Sequence, residues 1–450
     1  MSNFRPINRD TGFLLPPSVD EWLPQRHLAR FVVEVVDRLD LSALEKAYRG
    51  SGSASYHPAM LLALLIYGYA TRVFSSRALE RATYDSVAVR FIAGNEHPDH
   101  DTIATFRKRF LGQIEPLFVE VLKLARAMGM LKLGTVALDG TKVHANASRH
   151  SALSYGHAKK LEKQLRREVK QLLRLAEQAD GVNVPDGMSI PEELERREQR
   201  LAAIAEAKAK IETRVQEREQ AEYQTKLAAR EEKARRTGKK PPGRPPQPPS
   251  GGVAAKEQIN LTDEDSRIMP VAGGGFDQCY NAQAVVATES LLIVANEVVQ
   301  AANDKQQLAP MVRQLKALPK ALGRVRRLLA DSGYASETNV ERCAAAKIEP
   351  LIALGRDSHH PGWRKRFAPA PKAPPESATP LERMAHRLRT PAGRKLYALR
   401  KQTPEPVFGS IKSAMGFRQF LLRGLPNVQG EWNLVTMSWN IKRMFALQPV

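Results

Sequence analysis

Apolar residues recur at helical spacing through roughly the first 130 positions of the chain. The stretch "HPAMLLALLIYGYATRVFSSRALERATYDSVAVRFIAG" keeps that spacing, with a break at Ser75-Ser76 where a turn is expected. It resumes in "HPDHDTIATFRKRFLGQIEPLFVEVLKLARAMG", for which Asp101 or Thr102 is the expected N-cap. The period then changes. "TVALD", residues 135–139, is a short apolar strand-like run that ends in a carboxylate, and Gly140 follows it.

Residues 157 to 236 have another pattern. "HAKKLEKQLRREVKQLLRLAEQ" and "SIPEELERREQRLAAIAEAKAKIETRVQEREQAEYQTKLAAREEKARR" mix both charge signs with sparse Leu, Ile and Ala, and "DGVNVPDG" separates them. This predicts an antiparallel helical hairpin, solvated on most of its surface, serving as a spacer or dimerising coiled coil or touching DNA along its Arg/Lys face. "TGKKPPGRPPQPPSGG", residues 237–252, is a Pro/Gly-rich basic linker.

Strands and helices alternate after the linker. "QCYNAQAVVAT" and "LLIVANEVVQ" read as a hairpin joined by "ESL". "NDKQQLAPMVRQLKAL" is a helix, "RVRRLLADSGYAS" holds a buried strand ending at Asp331, "SETNVERCAAAKI" is a helix and "EPLIAL" a strand. A Pro-rich stretch, "FAPAPKAPPESATP", precedes a helical section from about 381 to 447. With the strand at 135–139, the order is that of a ribonuclease-H-like α/β domain carrying a long helical-hairpin insertion after its first strand. The expected domains are an all-α N-terminal domain over 1–130, a catalytic domain over 131–152 and 253–450, the charged hairpin over 153–236 and the linker over 237–252.

Composition narrows the function. Lys and Arg total 69 against 48 Asp and Glu, a formal charge of +21, which favours a polyanion and most simply nucleic acid. Two cysteines, Cys279 and Cys343, lie far apart without CxxC spacing, which excludes a disulfide framework and a cysteine zinc site. The start "MSNFRPINRD" lacks a signal-peptide pattern, and "MLLALLIYGYA" falls short of the roughly 20 residues a membrane span needs, so a soluble cytoplasmic protein without membrane partner is expected.

Two aspartates occupy equivalent places. Asp139 ends "TVALD" and Asp331 ends "RRLLAD", each with glycine close behind. Alone, each reads as an ordinary turn residue. On neighbouring strands the two carboxylates would share a cleft and repel unless a cation lay between them, and hard oxygen ligands select Mg²⁺ or Mn²⁺. The third carboxylate is expected from "YALRKQTPEPVFGSIKSAMGFRQFLLRGL", where Glu405 stands at a helix start and Lys412 seven residues on, two helical turns away. Near the N-terminal turn, Arg107, Lys108 and Arg109 sit just inside a helix, as in a helix-turn-helix DNA reader, although basic three-helix clusters also occur without DNA.

With these blocks in view, the chain resembles DDE-type transposases of bacterial insertion sequences. "LLIYGYATRVFSSRALERA" and "EHPDHDTIATFRKRF" look like that group's helical N-terminal domain. "VALDGTKVHANAS", "LLADSGYAS" and "EPVFGSIKSAMGFRQFLLRG" are similar to its three catalytic blocks, so the resemblance covers almost the whole length. It implies a catalytic, metal-binding triad of Asp139, Asp331 and Glu405. The third block usually pairs Tyr, Arg, Glu and Lys at set spacings; Tyr397 and Lys412 fit, while Arg400 keeps its distance from Tyr397 and Lys401 its distance from Glu405.

The resemblance further implies phosphoryl transfer with two Mg²⁺ ions, Mn²⁺ substituting, Asp139 bridging them and Asp331 and Glu405 each holding one. Strand cleavage at the element's terminal repeats and strand transfer into target DNA would follow, with double-stranded DNA as partner and a homodimer holding both ends. Lys412 with Arg400 or Lys401 would hold phosphates, and Tyr397 would stack on a base or touch the backbone. A metal-dependent nuclease without strand transfer, a domesticated non-catalytic DNA-binding protein and a coiled-coil scaffold are the rival readings. Of the remaining features, "HPDH" reads as a loop entering a helix rather than a metal site. Trp432 and Trp439 read as core, with Asn440 and Lys442 left to face DNA.

Overall fold

The computed structural model describes residues 18–48, 55–177, 189–238, 243–249, 251–355 and 372–448. The expected hairpin connection at 180–187 lies outside the described residues, as do parts of the 237–252 linker and of the Pro-rich stretch at 367–380. The chain divides into two units, one of Met1–His144 with Cys279–Val450 and the other of Ala145–Gln278.

The first unit begins with helices: α1 (Val19–Trp22), α2 (Leu28–Val36), α3 (Ser42–Glu45), α4 (Pro58–Ala70), α5 (Ser76–Asp85), α6 (Val87–Ile92) and α7 (His100–Ala127). α4 is apolar on nearly every side, so it is stable only when wrapped, and Leu61 through Ala70 are buried without interruption. The expected turn at Ser75-Ser76 is present: Ser75 Oγ accepts from Ala78 N and starts α5. α7 begins earlier than expected. Its cap is Asp99, not Asp101 or Thr102, because the Asp99 carboxylate accepts from both the backbone N–H (2.7 Å) and the hydroxyl (2.9 Å) of Thr102.

β1 (Leu133–His144) then leads out of this unit into the second. There, β2 (Ala152–Ser154) precedes two long helices, α8 (Tyr155–Glu177) and α9 (Ile190–Thr237), followed by β3 (Gln258–Asn260) and β4 (Arg267–Pro270). β2 and β3 pair antiparallel. The helices share a narrow seam of Tyr155, Ala158, Leu165, Ile204, Ala207, Ile211 and Val215. Arg197 pairs with Glu168 and Lys208 with Glu162, so rising numbers in α8 meet falling numbers in α9 and the helices run antiparallel.

Back in the first unit come β5 (Phe276–Ala287), β6 (Ile293–Val299), α10 (Leu308–Ala317), β7 (Gly323–Ala330), α11 (Glu337–Ala345) and β8 (Glu349–Ile352). The fold closes with α12 (Pro380–Arg389), α13 (Pro391–Ala398), α14 (Pro404–Gly409) and α15 (Leu425–Leu447). The sheet is mixed. β1 is central, antiparallel to β5 and parallel to β7; β6 flanks β5 antiparallel, and β8 flanks β7 parallel. A strand paired on both edges and covered on both faces reads as a continuous apolar run, and Val136, Ala137 and Leu138 are fully buried.

α15 is buried around most of its circumference although it carries Glu431, Asn433, Thr436, Ser438 and Asn440. It packs on α4, α7 and β6, and its polar side chains serve the free edge of β6. Asn440 accepts from Ile293 N and donates to Ile293 O, both at 2.8 Å, and Gln429 accepts from Val298 N at 2.6 Å. Trp432 and Trp439 are core, as expected, with their indole N–H groups donating to Gln283 O and Leu291 O. Asn440 and Lys442, expected to face DNA, are bonded within the protein instead: the first caps the sheet edge, and Lys442 Nζ donates to Ala70 O at 2.7 Å. Among the described residues no helix is long and apolar enough to cross a membrane.

Candidate active site

Asp139 lies inside β1 rather than at its end, which corrects the sequence expectation. The antiparallel pairing with β5 continues through His144, whereas the parallel pairing with β7 stops at Ala137, opposite Leu329. β7 itself ends at Ala330, one residue before Asp331. From there to Val143 β1 pairs along one edge, until His144 bridges Gln419 on the other, and Asp139 stands at the lip of the gap. Asp331 leaves β7 and caps a short turn, its Oδ1 accepting from Gly333 N at 2.8 Å. Asp331 is thus a turn cap whose second oxygen, Oδ2, is left to face Arg400.

Arg400 brings the carboxylates together. The sheet core of Ala137, Leu329 and Leu351 is covered by Leu388, Leu396, Tyr397 and Leu399, which seats α12 and α13 over β1, β7 and β8. The chain turns just after α13, and Arg400 Nη2 reaches Asp139 Oδ2 at 3.1 Å and Asp331 Oδ2 at 3.5 Å, while Nη1 reaches Glu405 Oε1 at 3.5 Å. Glu405 enters from the first turn of α14, whose preceding Thr403 is buried. The guanidinium and Asp139 are mostly buried, at 13% and 14% exposure, while Glu405 is 54% exposed. Burial pushes the Asp139 carboxyl up to about 6; Arg400 and the Gly140 N–H oppose this, and Asp331 and Asp304 add to it. Lys401, the alternative basic member, is exposed and makes none of these contacts.

The other expected site residues are placed as follows. Tyr397 donates its hydroxyl to Ala330 O at 3.3 Å and so touches the end of β7. Lys412 falls in a π-helical turn, Ser410–Ala414, so its seven-residue distance from Glu405 is not two regular helical turns. Its Nζ donates to Thr141 Oγ1 (2.6 Å) and Lys142 O (2.7 Å) on β1, beside the carboxylates in sequence register, and burial lowers its pKa. Arg107 is not on an open basic face. It is buried, donating to Phe74 O at 3.1 Å and to Tyr69 OH at 3.4 Å. Arg109 lies over the rings of Tyr48 and Phe110, and Lys108 is exposed. His97 stacks on Tyr84, with 3.9 Å between ring centroids, and His100 contacts Glu80, which leaves "HPDH" as the entry to α7.

Sequence reasoning missed a polar cluster beneath this site. Asn281 and Gln283, fully buried on β5, pair in register with Lys142 and Gly140 of β1. Both donate to Asp304 Oδ1, at 2.7 and 2.8 Å. Tyr334, in the turn after Asp331, donates its hydroxyl to Gln283 Oε1. A Cβ at Gly140 would lie 2.2 Å from Gln283 Nε2, 2.8 Å from Asp304 Oδ1 and 2.9 Å from Asn281 Oδ1. Gly140 is needed for this close approach, not for a turn. The available signal was two amides inside an otherwise apolar strand, "CYNAQAVV".

Among the described residues no three His, Cys, Asp or Glu side chains already converge on one ion position; the three carboxylates surround a guanidinium instead. All are hard oxygen donors around a single positive charge, a set whose chemistry fits a divalent ion.

Comparison with known families places two matches on the chain. A model described as a transposase domain (DUF772) matches residues 17–109, the helical N-terminal part. A model described as a transposase DDE domain matches residues 372–445, which include Arg400, Glu405 and Lys412. No curated protein and no solved structure matches the chain.

Proposed function

Both matched segments support an insertion-sequence DDE-type transposase, and on that premise we propose that the chain cuts DNA at the ends of its element and joins those ends to target DNA. The observation that carries this reading is the meeting of Asp139, Asp331 and Glu405 around Arg400. We read the mixed sheet, with its central β1 and its parallel β7 and β8, as a ribonuclease-H-like catalytic domain, with the helices up to α7 as the DNA-binding part and the α8–α9 hairpin as an insertion.

Asp139, Asp331 and Glu405 would hold the divalent ions, Mg²⁺ or Mn²⁺, and two ions suit the reaction class. Bound there, such ions supply Lewis acidity at phosphorus and an ionised water at neutral pH. The protein's own groups do the rest. In the first step water oxygen bonds to phosphorus, the P–O3′ bond breaks, and the freed 3′ oxygen takes up a proton. In the second, that 3′-OH attacks a phosphodiester of the target and its proton passes to the departing 3′ oxygen. Lys412, fixed against Thr141 and Lys142, presents an ammonium beside β1 for a non-bridging phosphate oxygen. Among the described residues, Arg400 Nε is buried without an acceptor, which suits an arginine that turns toward phosphate when the carboxylates take up metal. Tyr397 holds the end of β7 and, through it, Asp331. The expected homodimer would present two such sites, one to each element end.

The test is incubation of the protein with DNA carrying the element's own ends, a target plasmid and Mg²⁺ or Mn²⁺. Nicks at the ends together with covalently joined end–target products support the proposal. Nicks without joined products assign a nuclease instead, and binding without nicks assigns a non-catalytic DNA-binding protein.

A further inference from the structure

We infer that Asp304, in the loop between β6 and α10, is a positioning residue that sets the spacing of Asp139 and Asp331; this rests on the transposase reading of the site. One oxygen, Oδ1, accepts from both Asn281 Nδ2 (2.7 Å) and Gln283 Nε2 (2.8 Å). A carboxylate oxygen has the lone pairs for two donors, and the amides have no water to turn to, because both side chains are fully buried.

Each amide then transmits the position onward. Gln283 sits opposite Gly140, next to Asp139, and its carbonyl accepts from the Tyr334 hydroxyl, three residues after Asp331. Asn281 donates also to Ala301 O at 3.0 Å, which ties β5 to the start of the Asp304 loop. On the far side, Asn339 Nδ2 bridges Lys305 O and Tyr334 O, both at 2.8 Å. The loop is thus clamped to the Asp331 turn from two directions. Gly140, behind Asp139, clears the space, since a Cβ there would lie 2.8 Å from Asp304 Oδ1; Gly333, behind Asp331, lies near the other oxygen, where a Cβ would make an ordinary 3.7 Å contact with Oδ2. Asp139 and Asp331 come from separate strands whose direct pairing ends before either carboxylate. Their separation needs a part bonded to both sides, and this network is one.

Asp304→Ala removes the acceptor, whereas Asp304→Asn keeps a carbonyl oxygen for the two amides and loses only the charge. Hydrogen exchange over 331–335 and single-turnover cutting of end DNA are measured for the wild type and both variants, with DNA affinity measured alongside. Asp304→Ser, which leaves a small polar group in the loop, is run as a milder replacement in case the alanine variant does not fold. The expected result is exchange over 331–335 at least about tenfold faster in the alanine or serine variant, as for loss or weakening of the two hydrogen bonds that Oδ1 accepts. Cutting falls about 100-fold, as for a misplacement near 1 Å, at unchanged DNA affinity. Asp304→Asn restores both. Alanine and serine variants that exchange and cut like the wild type overturn the inference. So does an asparagine variant as slow as alanine, which assigns the role to charge. A wild type that cuts nothing overturns the transposase reading instead, while unchanged exchange in the variants overturns the positional claim independently of any cutting.

Discussion

Arg400 and Asp139 are 261 positions apart in the chain and 3.1 Å apart in the fold. The same guanidinium lies 3.5 Å from Asp331 and from Glu405, so one cation holds three carboxylates drawn from β1, the end of β7 and α14. Carboxylates gathered this closely need positive charge among them, and Arg400 supplies it.

Arg400→Ala removes that charge from a largely buried position. The variant is expected to lose about 3 kcal/mol of stability, the usual cost of breaking a buried ion pair on one side. Mn²⁺ should then raise its melting temperature by more than it raises that of the wild type, because the ion no longer competes with a guanidinium. Thermal melts with and without Mn²⁺ check this. An equal gain for both proteins would mean that metal and arginine do not share the same carboxylates.

Gly140→Ala puts a methyl group 2.2 Å from Gln283 Nε2, against a buried side chain that is already bonded on both ends. The expected cost is about 1–3 kcal/mol of stability, as for other overpacked interiors, with a disproportionate loss of DNA cutting as the Asp139 backbone shifts. Gly134→Ala, also on β1 but with nothing among the described residues within 4 Å of the added atom, is the control and should leave both nearly unchanged. Chemical denaturation of the two variants, followed by cutting assays, separates close approach from a general intolerance of side chains on this strand.

Glu431 gives a pH prediction. It is fully buried, accepts from Tyr69 OH (2.7 Å) and from Leu421 and Leu422 N–H (3.0 Å each), and burial raises its pKa against those hydrogen bonds. A carboxyl whose folded pKa is above its unfolded value binds its proton more tightly in the folded state. Its contribution to stability is therefore present below the unfolded value of about 4.3 and is lost as pH rises through the folded value. Urea unfolding from about pH 4 upward should show that loss in the wild type and not in Glu431→Gln. Glu431→Ala, which takes the acceptor from one buried and two part-buried donors, should cost about 3 kcal/mol at every pH.

Much of this was legible in the chain because period and burial agree. The apolar runs at 136–138 and 328–330 are strands because they fill the middle of a sheet, and Trp432 and Trp439 are core because they are large and helically spaced. What failed did so for tertiary reasons. Arg400 and Lys401 are equivalent by spacing, and only the turn after α13 decides which points at the carboxylates. Asn440 and Lys442 looked like an exposed polar face, since a helical wheel cannot show that the edge of β6 needs partners. Arg107 looked like part of a basic patch until the packing of α7 on α4 and α15 turned it inward. Asp304 carried no local signal, because its importance comes from two amides more than twenty residues earlier.

The measurement that tests the central claim most directly is DNA cutting by Asp139→Ala, Asp331→Ala and Glu405→Ala, each compared with the wild type in Mg²⁺ or Mn²⁺ at equal DNA occupancy. The account predicts that each single substitution abolishes cutting at the element's ends, that each variant still binds those ends, and that combining any two adds nothing further. A variant of any of the three that cuts as fast as the wild type would contradict it, because the residue Arg400 holds there would then lie outside the active site.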